Sequence, residues 1–128
     1  MMKTPPIQLH QPRRLGYLPS IESQTVRYVE LMRAYGHLYV DKCRWLTWRG
    51  FRVYIRLWPA MRLPGGEIVG EVLVIAAVEI PKNLQKRGWF YRYVQFCACL
   101  ARNGVMIEAV YSPTLLPALR RRPEFLEY

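Results

Sequence analysis

The first periodic segment of the chain follows Ser20. Mostly apolar residues recur there at the spacing of an α-helix: Ile21, Thr25, Tyr28, Met32 and Tyr35. This spacing places the side chains on one face of an α-helix. Ser20 is suited to cap the first turn, and Gly36 is suited to end the last one. The pattern therefore predicts a helix over residues 21–35.

From Phe51 the period changes to two residues. Apolar residues alternate with larger polar or aromatic ones: Phe51, Val53, Ile55 and Leu57 against Arg52, Tyr54, Arg56 and Trp58. Alternation of this kind predicts a β-strand with one buried face. The segment 37–48 before it fits either a short second helix or an irregular strand. Residues 59–66 end in Pro-Gly-Gly and predict a turn.

The next segments predict a strand, a helix and another strand. Residues 68–79 show little alternation after Gly70, which is typical of a central strand covered on both faces. An amphipathic helix is predicted over 89–102, ended by Asn103-Gly104, and an apolar strand over 105–111. Because a helix lies between these strands, we expect them to pair in parallel through a right-handed crossover.

The two ends of the chain complete the predicted order. Residues 1–19 contain four prolines and predict an extended arm. Ser112-Pro113 predicts the start of a short last helix that runs to Arg122, and residues 125–128 predict an edge strand. The order α-β-β-α-β-α-β indicates a mixed α/β fold. At 128 residues, the chain is expected to form one domain, with a central mixed sheet flanked by helices.

Charge narrows the expected partners. The formal net charge is +10, from 19 Lys and Arg against 9 Asp and Glu. A balance this basic favours acidic partners such as nucleic acid, a polyphosphate cofactor or an acidic protein face, although a basic surface that serves only solubility stays open. The three cysteines are too few and too scattered for a disulfide framework, which favours a reducing compartment. With no signal-peptide pattern and no long apolar run, we expect a cytoplasmic protein without membrane association.

The loop between the predicted strand and helix is the strongest candidate binding feature. It carries Lys82, Lys86 and Arg87, no acid, and Gly88 at the point where the helix begins. A helix N-terminus has free backbone N–H groups and a positive dipole end, so this loop predicts an anion site for a phosphate-bearing ligand. A solvated basic loop is the alternative.

The second half of the chain, about residues 67–125, resembles the GNAT superfamily of acyl-CoA-dependent N-acyltransferases. In that family a central strand ends in a bulge and is followed by an Arg/Gln-x-x-Gly-x-Gly/Ala loop that opens a helix. Here the loop reads Gln85-Lys86-Arg87-Gly88-Trp89-Phe90. The next family strand resembles Glu108-Ala109-Val110-Tyr111-Ser112, and the family's last helix and Gly-Phe corner resemble residues 115–125. The resemblance implies a minimal GNAT-like domain and acetyl-CoA as co-substrate.

The resemblance also assigns roles to particular residues. It implies that backbone groups of Val78, Glu79 and Ile80 hydrogen-bond the pantetheine arm and polarise the thioester carbonyl. The other implied cofactor-binding residues are those of the loop that holds the pyrophosphate and one residue after the second strand. They are Gln85, Lys86, Arg87, Gly88, Trp89, Phe90 and Ser112. Three positions depart from the family pattern. Phe90 replaces a small residue, Ser112 an asparagine, and Leu119 the tyrosine that protonates the leaving thiolate.

Three residues are candidates for catalysis. Glu79, at the expected bulge, is the best placed base for an acceptor amine, and a solvent-facing carboxylate is its alternative. Glu108 lies in an apolar strand, so it requires a partner, either an arginine or a substrate. Tyr111 is the nearest replacement for the absent general acid, and a core position is its alternative. Neither the Cys97-x-Cys99 pair nor His10 and His37 have the spacing of a metal site.

A separate aromatic and basic cluster suggests a different function. Its members are Trp45, Trp48, Arg49, Arg52, Tyr54, Arg56 and Trp58. Arginines can contact phosphates while rings stack on bases, so this cluster could form a nucleic-acid face. The alternative is a sheet face covered by the N-terminal helix or by a second copy of the chain. A homodimer also stays open because the family's seventh strand has no counterpart here.

Three functions follow from these observations. The first is an N-acetyltransferase that moves acetyl from acetyl-CoA to an amine of unknown identity on a protein, a small molecule or a nucleic acid. The second is a catalytically inert GNAT-fold protein that binds nucleic acid or a protein through the basic aromatic cluster. The third is a GNAT-like enzyme that modifies a nucleic-acid base, which the basic charge would suit.

Overall fold

The computed structural model describes residues 20–38, 43–85, 87–108, 117 and 120–122. These contain two α-helices, α1 (Ile21–Tyr35) and α2 (Trp89–Leu100), and two 3₁₀ turns, Gly36–Leu38 and Lys82–Leu84. The strands are β1 (Cys43–Trp48), β2 (Phe51–Trp58), β3 (Met61–Arg62), β4 (Ile68–Val69), β5 (Val72–Glu79) and β6 (Val105–Ile107). The predicted mixed α/β class is confirmed. The predicted arm, last helix and edge strand lie wholly or mostly outside the described residues.

The main sheet has the strand order β1-β2-β5-β6. β2 is antiparallel to both β1 and β5, whereas β5 and β6 run parallel and are joined through α2. The prediction that the strand ending at Glu79 is central and pairs in parallel with the strand after the helix is confirmed. Its start was placed too early, because residues 68–69 form a separate strand that pairs with β3.

Helix α1 begins as its sequence predicts. The Ser20 hydroxyl accepts a hydrogen bond from the Ser23 amide at 3.0 Å, which satisfies one of the free N–H groups of the first turn. At the other end, the chain continues into a 3₁₀ turn, since Gly36 keeps a right-handed helical conformation with φ −56°. The glycine therefore ends the α-helix without the expected left-handed cap.

The ambiguous segment before β2 ends in a strand. β1 and β2 form a hairpin whose two turn residues, Arg49 and Gly50, have φ of 48° and 87°. Two consecutive positive φ values are typical of the tight turns that match the twist of paired strands. The strand alternative is thus confirmed for residues 43–48.

One face of the sheet carries the main core, and both helices pack on it. The alternating residues Val53, Ile55 and Leu57 are buried there as predicted. Tyr28 of α1 and Tyr93 of α2 are fully buried, and each hydroxyl has a partner. The Tyr28 hydroxyl accepts from the Leu57 amide at 2.9 Å, and that of Tyr93 lies 2.7 Å from the Thr25 hydroxyl. Paired hydroxyls avoid the free-energy penalty of an unsatisfied buried polar group.

β5 contains a bulge. Tyr54 faces Ala77 and the next β2 residue, Ile55, faces Ile75, so Ala76 is an extra residue on β5. Val72, Val74 and Ala76 are buried on the face opposite the helices. A bulge bends its strand and changes the direction of the residues beyond it. Beyond the bulge, Val78 and Glu79 stay paired with Val53 and Arg52 of β2.

Candidate functional site

The loop after β5 folds back on the strand end. Val78 and Ile80 are half-buried against the main core. The Leu84 amide donates to the Pro81 carbonyl at 2.8 Å, and the Gln85 side-chain amide donates to the Ile80 carbonyl at 3.0 Å. Gln85 thus connects the loop to the strand end. Of the predicted cofactor-binding residues, the structure thus brings Ile80 and Gln85 into contact.

Gly88 begins helix α2 in a left-handed conformation, with φ 80° and ψ 4°. The first bond of the helix runs from the Arg92 amide to the Gly88 carbonyl at 3.1 Å. Glycine supplies no capping side chain, and among the described residues the amides of Gly88, Trp89 and Phe90 have no acceptor. Amides at a helix N-terminus are suited to an anionic group.

Four exposed cations lie in the loop, in the first turn of α2 or in contact with that turn: Lys82, Arg87, Arg92 and Arg122. The Arg122 guanidinium lies over the Tyr91 ring, 3.5 Å from its centroid, which brings a distant part of the chain to the first turn of α2. That turn contains no acidic residue. Within the described part of the chain, none of the four cations has a carboxylate partner. Lys86 lies outside the described residues.

The two aromatic residues of the loop motif turn away from the amides. Phe90 is 3% exposed and lies in the main core. Trp89 is half-buried, stacks on Tyr93 with ring centroids 5.0 Å apart, and donates its indole N–H to Glu22 at 3.3 Å. The Phe90 ring therefore does not lie over the open amides, although it replaces a small residue of the family motif.

Glu79 lies at the end of β5 on the sheet face opposite the helices. Its side chain is 56% exposed, and Arg52 of β2 holds it at 3.1 Å. The carboxylate is thus accessible to water and fixed by a neighbouring strand. Tyr111 and Ser112 lie outside the described residues, so their predicted roles stay predictions.

Glu108 follows β6 on the same face and is paired with Arg56 of β2. Its amide donates to the Ile75 carbonyl at 2.9 Å, which extends the parallel ladder by one residue. The alternative in which an arginine satisfies this carboxylate is confirmed. Glu108 lies beside the bulge, three residues or roughly 10 Å from Glu79 along the strand. The two carboxylates therefore belong to separate ion pairs.

The two cysteines on α2 lie on different sides of the helix. Cys97 is in the core, where burial raises the pKa of its thiol to about 12, and Cys99 is exposed. A thiol with a pKa this high is a poor nucleophile at neutral pH. No group of three or more His, Cys, Asp or Glu side chains that could hold a metal occurs among the described residues.

The aromatic and basic cluster is divided by the sheet. Trp45, Arg52, Tyr54, Arg56 and Trp58 share the face opposite the helices, as the strand register requires. Trp48 packs against the main core on the other face, and Arg49 stacks on it at the hairpin tip. Helix α1 packs on the main core, so it does not cover the five residues that share a face. The expectation that the seven form one surface is wrong for Trp48.

Sequence reasoning missed the contacts that close the start of β5. Arg33 makes two hydrogen bonds to the Glu71 carboxylate, at 2.6 and 2.9 Å, and a third to the Leu100 carbonyl at 2.6 Å. The Arg102 amide donates to the same carboxylate at 3.2 Å. A cleft of about 610 Å³ lies beside this cluster. The only signal in the sequence was a lone glutamate next to Gly70, before an apolar run.

Comparisons with protein-family models, with curated proteins and with solved structures found no match to this chain. Neither described helix has the length and apolar character that a bilayer span requires. The function must therefore be argued from the residues and their geometry.

Proposed function

We propose that the chain is an acyl-CoA-dependent N-acetyltransferase of GNAT-like fold. The observation that carries the proposal is the course of the chain from β5 to β6. A bulged central strand leads into a loop whose left-handed glycine opens a helix, and the next strand returns parallel to the first. This is the arrangement that the resemblance at residues 67–125 implies.

The amides at the start of α2 would bind the pyrophosphate of acetyl-CoA. Support comes from three properties of the site: amides without an acceptor among the described residues, a helix N-terminus, and exposed cations around it. Arg87 directly precedes Gly88, and Arg122 contacts Tyr91 in the first turn. An anion there gains from both the helix dipole and the nearby charges. The burial of Phe90 leaves this approach open.

The strand end from Val78 to Ile80 would hold the pantetheine arm and the thioester. Backbone donors there would polarise the thioester carbonyl as negative charge develops on its oxygen. The acceptor amine then forms a C–N bond to the acetyl carbon while the C–S bond breaks. The products are the N-acetyl amine and the free CoA thiol.

Two protons move in this reaction. The amine must lose one, and Glu79 is the proposed acceptor, directly or through a water, since its carboxylate is exposed at the strand end. The leaving sulfur gains one, for which Tyr111 is the proposed donor. Glu108 is assigned no proton transfer, because Arg56 satisfies its carboxylate. Its expected role is to link β6 to β2 across the middle of β5.

Mass spectrometry of acetylated products from a panel of amines would test the activity. We expect acetyl transfer that depends on acetyl-CoA, and we expect Glu79→Gln to lower kcat about 10²-fold, the usual contribution of a general base. Glu67→Gln is the matched control, because Glu67 is an exposed acid of the β3–β4 hairpin. Unchanged turnover in both Glu79→Gln and Tyr111→Phe would remove the catalytic assignments.

A further inference from the structure

We propose that the sheet face opposite the helices binds single-stranded nucleic acid. The binding residues are two arginine–tryptophan pairs, Arg52 with Trp45 and Arg56 with Trp58, which we call the arginine–tryptophan face. This proposal does not depend on acetyl transfer, although Glu79, the proposed base, lies on the same face and pairs with Arg52.

Exposed rings are the first observation. Trp45 is 42% exposed and Trp58 is 43% exposed, although both side chains are among the largest apolar groups of the chain. The Arg52 guanidinium lies 4.2 Å from the Trp45 ring centroid, and that of Arg56 lies 6.0 Å from Trp58. Indole rings and guanidinium planes are the groups on which unpaired bases stack. The face therefore presents two exposed tryptophan rings, each beside an arginine, on which bases can stack.

Charge is the second observation. Residues 43–66, which form β1, β2 and β3, contain five arginines and no acidic residue. Arg49 at the hairpin tip and Arg62 in β3 have no carboxylate partner among the described residues. Positive charge on an element with exposed rings matches a polyanion that also carries bases.

The ion pair of Arg52 with Glu79 leaves donors for a phosphate. Arg52 uses Nη1 for both oxygens of Glu79, and its other nitrogens have no acceptor among the described residues. Glu79 therefore positions the Arg52 guanidinium over the Trp45 ring without using all of its N–H groups, whereas the unpartnered Nε of Arg56 is buried. A guanidinium has five N–H donors, so one carboxylate does not exhaust it.

The spacing of the two tryptophan rings favours a single strand. Trp45 lies opposite Tyr54 in the middle of β2 and Trp58 lies at its end, four residues or roughly 13 Å farther along the strand. A single strand can splay its bases onto separated rings, whereas the bases of a duplex are stacked inside it and offer mainly phosphates. We therefore expect preference for single strands over duplex.

Fluorescence anisotropy with labelled oligothymidylate and oligouridylate of about 15 nucleotides tests the proposal, with no acyl-CoA present. We expect saturable binding that weakens as salt increases, together with quenching of tryptophan fluorescence. Comparison of the affinities for the two oligonucleotides shows whether the face prefers DNA or RNA. The double variant Trp45→Ala/Trp58→Ala is expected to bind about tenfold or more weakly, since it removes both rings on which bases stack.

Three control variants distinguish base stacking on this face from general electrostatic attraction to a basic protein. Trp45→Phe/Trp58→Phe keeps planar rings and should retain most of the affinity. Arg27→Ala removes a cation from α1 on the other side of the sheet, and Ile68→Ala removes an exposed apolar side chain from β4. Both should bind as the wild type does. Circular dichroism melting establishes that each variant is folded.

Several results would overturn the proposal. They are absence of binding at low salt, wild-type affinity in the folded double alanine variant, and equal affinity for duplex. Equal affinity for a polyglutamate peptide would also overturn it, because charge alone would then explain the binding. An acyl-CoA titration is unaffected by any of these outcomes, so the two proposals fail separately.

Discussion

The two ends of β5 differ in how their polar groups are satisfied. At the start, the Glu71 carboxylate accepts hydrogen bonds from the Arg33 side chain and from the Arg102 amide. After the end of β5, the chain reaches Gly88 and a helix whose first amides have no acceptor among the described residues. The first end is closed by protein groups, while the second remains available to a ligand.

The arginines follow the same division. Arg33, Arg52 and Arg56 each hold a carboxylate and connect elements of the fold. Arg87, Arg92 and Arg122 cluster at the start of α2 with no carboxylate partner among the described residues. Repulsion among nearby cations is unfavourable unless an anion offsets it. The unpaired cations therefore indicate an anion site, whereas the paired arginines connect elements of the fold.

The largest expected effect is at the closed end. Glu71→Ala removes three hydrogen bonds, two of them to a guanidinium, and should lower the free energy of unfolding by about 3 kcal/mol. Urea titration measures this change. Glu67→Ala, a neighbouring exposed acid with no side-chain bond among the described residues, should change it by less than about 0.5 kcal/mol. Equal effects of the two substitutions would contradict a stabilising role for the Glu71 hydrogen bonds.

A smaller effect is expected at the open end. Gly88→Ala forces a side chain into a left-handed conformation and places a methyl group 3.0 Å from Arg92 Nη1. We expect a loss of about 1–2 kcal/mol in stability and acetyl-CoA binding weaker by about tenfold. Thermal melting and calorimetry measure the two quantities.

Gly66→Ala is the matched control for that variant. Gly66 also has positive φ, 91°, but a methyl group there meets no atom within 4 Å. We expect a similar loss of stability with unchanged acetyl-CoA affinity. If both variants bind acetyl-CoA equally well, the amides of α2 are not the anion site.

The smallest expected effect is the contribution of Glu71 to the pH dependence of the free energy of unfolding. The hydrogen bond from Arg33 lowers the pKa of Glu71 from its ordinary value of 4.5, and burial opposes this shift. Because the folded-state pKa is depressed, the stabilisation is complete above pH 4.5 and is lost as the pH falls through the lowered value. In Glu71→Gln, which has no titrating group there, unfolding measured across this range should depend less steeply on pH. A slope equal to that of the wild type would contradict the assignment.

Local patterns were enough to predict most of the framework. The stripe on α1, the alternation in β2 and the strand–helix–strand order around α2 are all short-range signals, and each is confirmed. The boundary at 70–71 was missed because it depends on contacts with residues distant in sequence. Glu71 bonds to Arg33 and to the Arg102 amide, and the Gly70 site is crowded by Asn103.

The candidate site was predicted only in part for the same reason. Gly88 and the loop cations are adjacent in sequence, so their association followed from a motif. The contact of Arg122 with Tyr91 joins positions far apart in the chain, and no local pattern indicates it. The sequence predicted that Glu108 requires a partner but did not identify Arg56. The strand order that brings β2 and β6 to either side of β5 is a tertiary property.

Isothermal titration of acetyl-CoA into the wild-type protein tests the central claim most directly. We predict saturable binding at one site, lost in Gly88→Asp, which places a carboxylate at the start of α2, and retained in Gly66→Asp. Absence of heat with the folded wild-type protein, or equal binding by both variants, would contradict an acyl-CoA site at the helix N-terminus.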